Sequence, residues 1–143
     1  MLIARFDGAC LPRNPEGHTA CACTIKRDDV EIYRASEYIG YGKGMTNNVA
    51  EYRGLMLILK WFNALENKER LHIIGDSNIV IRRMTGKARK SAKGICAPLA
   101  NDCLLAASWN RQWLTFEWQG RDSNDECDAL CEKEVDAYLS QCK

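Results

Sequence analysis

Short apolar segments open the chain and alternate with polar breaks. Leu2 to Cys10 is rich in apolar residues and runs into Pro12, Asn14, Pro15 and Gly17. His18 to Ile25 and Val30 to Ile39 are rich in Thr, Ile, Val, Tyr and Ala, with Arg27-Asp28-Asp29 between them. Such runs bounded by turn residues predict three strands, the last two joined by a tight turn. The period changes at Thr46. Apolar residues at Leu55, Ile58, Leu59, Phe62 and Leu65 follow a three-and-four spacing, which predicts a helix from Thr46 to about Leu65. Leu71 to Ile74 reads as a short strand, and Ser77 to Met84 as a helix closed by Gly86. Pro98 to Trp109 reads as a helix, Trp113 to Trp118 as a strand and Asn124 to Leu139 as a final helix. The order predicts an α/β domain with a mixed sheet, its opening antiparallel and its later strands joined by crossover helices.

At 143 residues the chain has the length of one domain and enough material for a core without disulfide or metal staples. No repeat, low-complexity tract or Pro/Gly/Ser linker divides it, so residues 1–143 read as a single domain. Charges interrupt every apolar run, which predicts no membrane span. The opening residues lack a basic stretch followed by a long apolar one, so the expectation is a cytoplasmic protein without a signal peptide. The eight cysteines include no C-x-x-C pair and read as reduced, buried thiols.

Net charge is only +1, so the whole molecule exerts no strong pull on nucleic acid. Its distribution is uneven. Arg82, Arg83, Lys87, Arg89, Lys90 and Lys93 fall in one stretch without an acid, whereas residues 122 to 136 hold seven acids and one base, Lys133. A basic patch of this kind either binds phosphates or is a solvated loop.

Four acids stand out because of where they fall. Asp7 ends the first predicted strand, and Asp76 directly follows the strand Leu71 to Ile74. Glu51 lies on the helix stripe of Leu55, Ile58, Phe62 and Leu65. On a helical wheel Asp128 shares a face with Cys131, Val135, Tyr138 and Cys142. Each has a structural alternative. Asn48 and Glu51 make a capping-box pair, Asp76 caps the next helix, and Asp128 lies on the polar flank. Together they predict more. Buried carboxylates must be protonated, paired or bound to cations. A carboxylate cluster without matching His or Cys suits magnesium or manganese. Two such ions about 4 Å apart clamp a phosphodiester, one activating water and the other steadying the leaving oxygen.

The motifs resemble those of the type 1 ribonuclease H family. Asp7-Gly8-Ala9-Cys10 with Asn14-Pro15 is similar to its first-strand motif, and Thr46-Asn47-Asn48-Val49-Ala50-Glu51 to its T-N-N-x-x-E helix start. Asp76-Ser77 resembles the third motif, and Arg121 with Asn124 to Leu130 the fourth. The resemblance runs in order along nearly the whole chain and implies a five-stranded mixed sheet flanked by helices. It implies a monomeric endonuclease that cuts the RNA strand of RNA–DNA hybrids with two Mg2+ ions, Mn2+ being a substitute, and leaves 5′-phosphate and 3′-hydroxyl ends. Asp7 would bridge both ions, Asp128 would help hold the ion that activates water, and Glu51 and Asp76 would hold the other. Gly8, Cys10, Asn14, Asn47 and Asn48 match positions along the RNA minor groove, and Thr46 one near a DNA phosphate.

The chain departs from the family in three places. Gly44-Met45 replaces an arginine found before Thr46 in some members. The loop Gly120-Arg121-Asp122-Ser123 lacks a catalytic-loop histidine. The segment Thr85 to Pro98 is too short for the basic, Trp-containing protrusion some members carry. Its Lys87, Arg89, Lys90 and Lys93 read as a reduced hybrid-binding patch. The competing readings are a non-catalytic hybrid- or RNA-binding module, and a nuclease that also cuts double-stranded RNA. His18 and His72 lie in predicted strands and read as structural.

Overall fold

The computed structural model describes residues 1–142. Five strands form one sheet: β1 (Leu2–Leu11), β2 (His18–Arg27), β3 (Val30–Tyr41), β4 (Leu71–Gly75) and β5 (Leu114–Trp118). Four helices accompany them: α1 (Asn47–Asn63), α2 (Asn78–Met84), α3 (Cys96–Ser108) and α4 (Asp125–Gln141). The sheet order is β3-β2-β1-β4-β5, with β1, β2 and β3 antiparallel and β1, β4 and β5 parallel. This is the mixed sheet that the pattern predicts. Asp28 and Asp29 carry the β2–β3 turn at positive φ, 51° and 65°, the backbone that matches the twist of a two-residue hairpin.

Most element boundaries shift by one or two residues from the sequence reading, two of them at the ends of helices before β5. Helix α3 starts at Cys96, two residues before Pro98, because a proline in the first turn costs no helix hydrogen bond. Trp113 ends a 3-10 turn (Arg111–Trp113), and the last strand begins at Leu114.

The two faces of the sheet are covered differently. Leu2, Ala4, Phe6, Cys23 and Ile25 meet Leu55, Ile58, Leu59 and Phe62 of α1 in the main core, which α2 and α3 extend through Val80, Met84, Ala100 and Cys103. Ala9, Ala20 and Ala22 on the opposite face meet Cys127, Cys131 and Val135 of α4. Two glycines let α1 lie almost on the β1 backbone. A Cβ at Gly8 would collide with the Ala50 backbone, and one at Gly54 would stand 2.8 Å from the Asp7 carbonyl oxygen. The residues flanking Asp7 and Glu51 are therefore in direct backbone contact before any side chain is considered.

No helix among the described residues is long and apolar enough to cross a membrane. All eight cysteines are free, six of them buried, with Cys96 half-buried and Cys142 exposed.

Candidate active site

Asp7, Glu51 and Asp76 come together from three elements. Asp7 lies in β1 just beyond Phe6, the last β1 residue paired with β4. Glu51 lies in the second turn of α1, and Asp76 follows the last residue of β4. Each offers a carboxylate oxygen, and these atoms all lie within 4.8 Å of one another. Asp7 is 4 % exposed and Glu51 1 %, while Asp76 is half-buried.

Three acids at that spacing and depth repel one another. Burial, reinforced by the Asp76 charge, lifts the Asp7 carboxyl from its ordinary 3.8 to about 7. Burial and the Asp7 charge push Glu51 well above 4.5. Asp76 is also raised, chiefly by burial, with the Arg121 charge working against the rise. A bond with the Glu51 side chain and the Gly8 backbone N–H, which donates to Asp7 Oδ1 at 2.9 Å, work against the rise at Asp7. Glu51 Oε2 is buried and has no hydrogen-bond donor among the described residues. An orphaned carboxylate oxygen between two further carboxylates is the donor set of a hard divalent cation.

Neither capping alternative for these acids holds. Thr46 caps α1, its Oγ1 accepting from the Val49 N–H at 3.1 Å, so Asn48 and Glu51 form no capping box. Ser77 caps α2 by accepting from the Val80 N–H, which leaves Asp76 free. The wheel reading of Asp128 is corrected. The buried stripe of α4 is Cys127, Cys131 and Val135, and Asp128, Tyr138 and Cys142 are exposed. Cys131 and Val135 belong to both the predicted and the observed stripe, and Asp128 lies on its polar flank, the structural alternative for that residue. Asp128 stands at the rim, outside the three-acid cluster, close enough for its charge to raise both Asp7 and Asp76.

The other predicted positions divide into two groups. Asn14 is exposed on the β1–β2 loop, and its Oδ1 accepts from the Asn47 backbone N–H at 3.0 Å. The same loop is tied to the approach to α1 by Glu16 N–H to Met45 O at 2.8 Å, and the thiol of the buried Cys10 donates to Arg13 O at 3.2 Å. Asn14, Thr46 and Asn47 thus form one braced rim at the start of α1. Asn48 turns toward the basic segment instead. With Tyr52, Arg82, Arg89, Lys90 and Lys93 it lines a cavity of about 480 Å³. Lys87 is exposed outside that lining, its backbone N–H closing the end of α2 on Arg82 O at 2.8 Å. A larger cavity of about 630 Å³ between α1 and α3 contains none of the four acids.

Two residues that the sequence reading gave no role hold the corner in shape. The Trp118 indole donates to Asp76 O at 3.0 Å. The Asn124 amide donates to Phe6 O at 2.8 Å from a position 2 % exposed. Asn124 falls inside the fourth motif, but nothing in residue type alone separates a buried amide from a surface cap.

A sheet of order 3-2-1-4-5 with an acid on β1, a second on the crossing helix and a third at the end of β4 defines the ribonuclease H fold. The chain matches LC11-RNase H1, solved in complex with an RNA/DNA hybrid, with a TM-score of 0.83 and 23 % identity over 97 % of this chain and 99 % of that one. It matches the N-terminal RNase H domain of Rv2228c from Mycobacterium tuberculosis with a TM-score of 0.83 and 26 % identity, covering 99 % of this chain and 98 % of that one. In sequence it is 29 % identical over 123 residues to the bifunctional protein Rv2228c of M. tuberculosis, which covers 86 % of this chain and 32 % of that protein. The chain therefore spans about a third of the length of the curated relatives it matches. The family described as reverse transcriptase-like matches residues 5–134, and the chain belongs to it.

Proposed function

We propose that this chain is a ribonuclease H that hydrolyses the RNA strand of RNA–DNA hybrids with two divalent cations, leaving 5′-phosphate and 3′-hydroxyl ends. The observation that carries the reading is the convergence of Asp7, Glu51 and Asp76 within 4.8 Å, with one buried carboxylate oxygen that has no partner among the described residues. The fold adds support, since a neighbour of the same architecture is solved in complex with an RNA/DNA hybrid.

In this reading Asp7, Glu51, Asp76 and Asp128 hold the cations, Mg2+ or Mn2+. Bound there, the cations supply charge neutralisation at the phosphodiester and an activated water. The chain's own part is positional. Gly8 and Gly54 bring α1 onto β1 so that Glu51 reaches Asp7. The raised carboxyls release protons when a cation replaces them, so cation affinity climbs with pH through about 7, where Asp7 titrates. Gly8, Cys10 and the braced rim of Asn14, Thr46 and Asn47 offer backbone and amide groups that donate and accept, the chemistry a 2′-hydroxyl requires. The Arg121 charge acts on Asp76 and favours its ionised form. Asn48 with Arg89, Lys90 and Lys93 forms a basic hollow that would take a phosphate of the hybrid.

The test is cleavage of a labelled RNA–DNA hybrid with Mg2+ or Mn2+, beside single-stranded RNA, double-stranded RNA and duplex DNA, by the wild-type chain and Asp7→Asn. Cation-dependent cutting of hybrid RNA, lost in Asp7→Asn, is expected. Tight hybrid binding without cutting would make the chain a binding module. Equal cutting of double-stranded RNA would widen the substrate class.

A further inference from the structure

Helix α4 stacks Tyr138 on Tyr38 of β3, with ring centroids 3.9 Å apart, but meets β1 and β2 chiefly through small side chains, Cys127, Cys131 and Val135 against Ala9, Ala20 and Ala22. Such a contact brings backbones close but buries little apolar area, and small, smooth surfaces do little to fix the sliding position of a helix. At the end of α4 that carries Asp128, bonds run from one face of the helix to three successive carbonyls of β1, beside the ion pair of Lys26 with Glu126. Cys127 Sγ donates to Arg5 O at 3.5 Å, Asn124 Nδ2 to Phe6 O at 2.8 Å and Cys131 Sγ to Asp7 O at 3.7 Å. Thiols are weak donors and the amide is a strong one, so Asn124 dominates the set.

Two further facts separate Asn124 from an ordinary helix start. An Asn at that position usually turns its side chain back to cap its own helix. Here it makes no such cap and reaches across to β1 at the point where the β4 ladder ends. Its Oδ1 is buried with no partner among the described residues. A buried acceptor left unsatisfied costs stability that an apolar side chain would not. The residue therefore serves placement at the expense of stability. Asp128 follows one helical turn later, on the helix that this bond registers.

We infer that Asn124 is a positioning residue, whose amide on the Phe6 carbonyl sets the stance of Asp128 toward Asp7 and so the cation affinity of the carboxylate site. The inference rests on the proposed reading of that site. It is tested by Mn2+ titration of the wild-type chain, Asn124→Ala, Asp128→Asn and the double variant, without nucleic acid. Mg2+ dependence of hybrid cleavage and thermal unfolding are followed in parallel. Asn124→Ala is expected to weaken Mn2+ binding by about tenfold, the usual effect of removing a group that orients a ligand. It is expected to raise the Mg2+ concentration for half-maximal cleavage to a similar extent and to leave the KM for hybrid within about twofold. In the Asp128→Asn background Asn124→Ala should cost no further Mn2+ affinity, since its effect runs through Asp128. Val135→Ala, on the same face of α4 but without a bond to β1, is the packing control and should lower the melting temperature with Mn2+ affinity unchanged. If Asn124→Ala folds poorly, Asn124→Ser, too short to reach Phe6, replaces it. Unchanged Mn2+ affinity, or a loss that adds in full to that of Asp128→Asn, overturns the inference. Failure of the wild-type chain to cut hybrid would overturn the nuclease reading instead, while the Mn2+ comparison still decides the role of Asn124.

Discussion

On one face of the sheet α1 lays Leu55, Ile58, Leu59 and Phe62 against Leu2, Ala4, Phe6 and Ile25. On the other, α4 sets Cys127, Cys131 and Val135 against three alanines. Hydrophobic stabilisation follows buried apolar area, so most of it lies on the α1 face. The three acids of the tight cluster are carried by the elements of that face, β1, α1 and the end of β4. The fourth rides on the thin face and stands at the rim. A large, interlocked core can hold like charges together against their repulsion, whereas a thin contact leaves its carboxylate in a stance that a few hydrogen bonds decide.

The largest expected effect is on stability of the α1 face. Phe62→Ala should cost about 3–5 kcal/mol, whereas Val135→Ala on the α4 face should cost about 1–2 kcal/mol. Urea unfolding of both variants measures the contrast, and equal losses would break the comparison.

Next in size is the electrostatic load that the α1 face carries. Asp7 titrates near 7 in the folded chain and near 4 when unfolded, so the native state holds the extra proton between those values. Its contribution is complete below about pH 4 and is lost as pH rises through about 7, a change on the order of 4 kcal/mol. With a chelator present, wild-type stability should therefore fall from pH 4.5 to pH 8 by more than that of Asp7→Asn. At pH 8 Asp7→Asn should be the more stable chain, and Mg2+ should narrow the gap. Parallel pH profiles for the two chains would place the load elsewhere.

The smallest effect is expected at the basic rim of the α1 face. Replacing Lys87, Arg89, Lys90 and Lys93 together by neutral residues should weaken hybrid binding. It should also flatten the dependence of binding on log salt by up to about 0.9 for each phosphate no longer neutralised. Lys87, outside the cavity lining, should contribute least when replaced alone. An unchanged slope would make the segment a solvated loop.

Much of this was legible in the sequence because periodicity and position reported it. The i, i+3, i+4 stripe through Leu55 and Phe62 fixed α1, and an acid on that stripe marked Glu51 as buried. Asp7 and Asp76 were visible as acids at the ends of apolar strands. Asp128 was visible as an acid but misplaced, because Cys131 and Val135 belong to both the predicted and the observed stripe while Asp128 lies on its polar flank. The tie from Asn14 to Asn47 and the bond from Trp118 to Asp76 join residues 33 and 42 positions apart, and local pattern carries no signal of such pairings. The hollow between Asn48 and Lys93 likewise exists only once α1 and the loop after α2 are side by side.

The thiols beneath α4 have one more consequence. Cys127 and Cys131 are completely covered while Cys142 at the helix end is open to solvent. A thiol-alkylating reagent therefore marks Cys142 at once and reaches the covered pair only when α4 lifts from the sheet. Mass spectrometry of a timed labelling reaction makes those two cysteines a native clock of helix undocking. A cation that draws Asp128 and Asp7 onto a common centre would slow that clock.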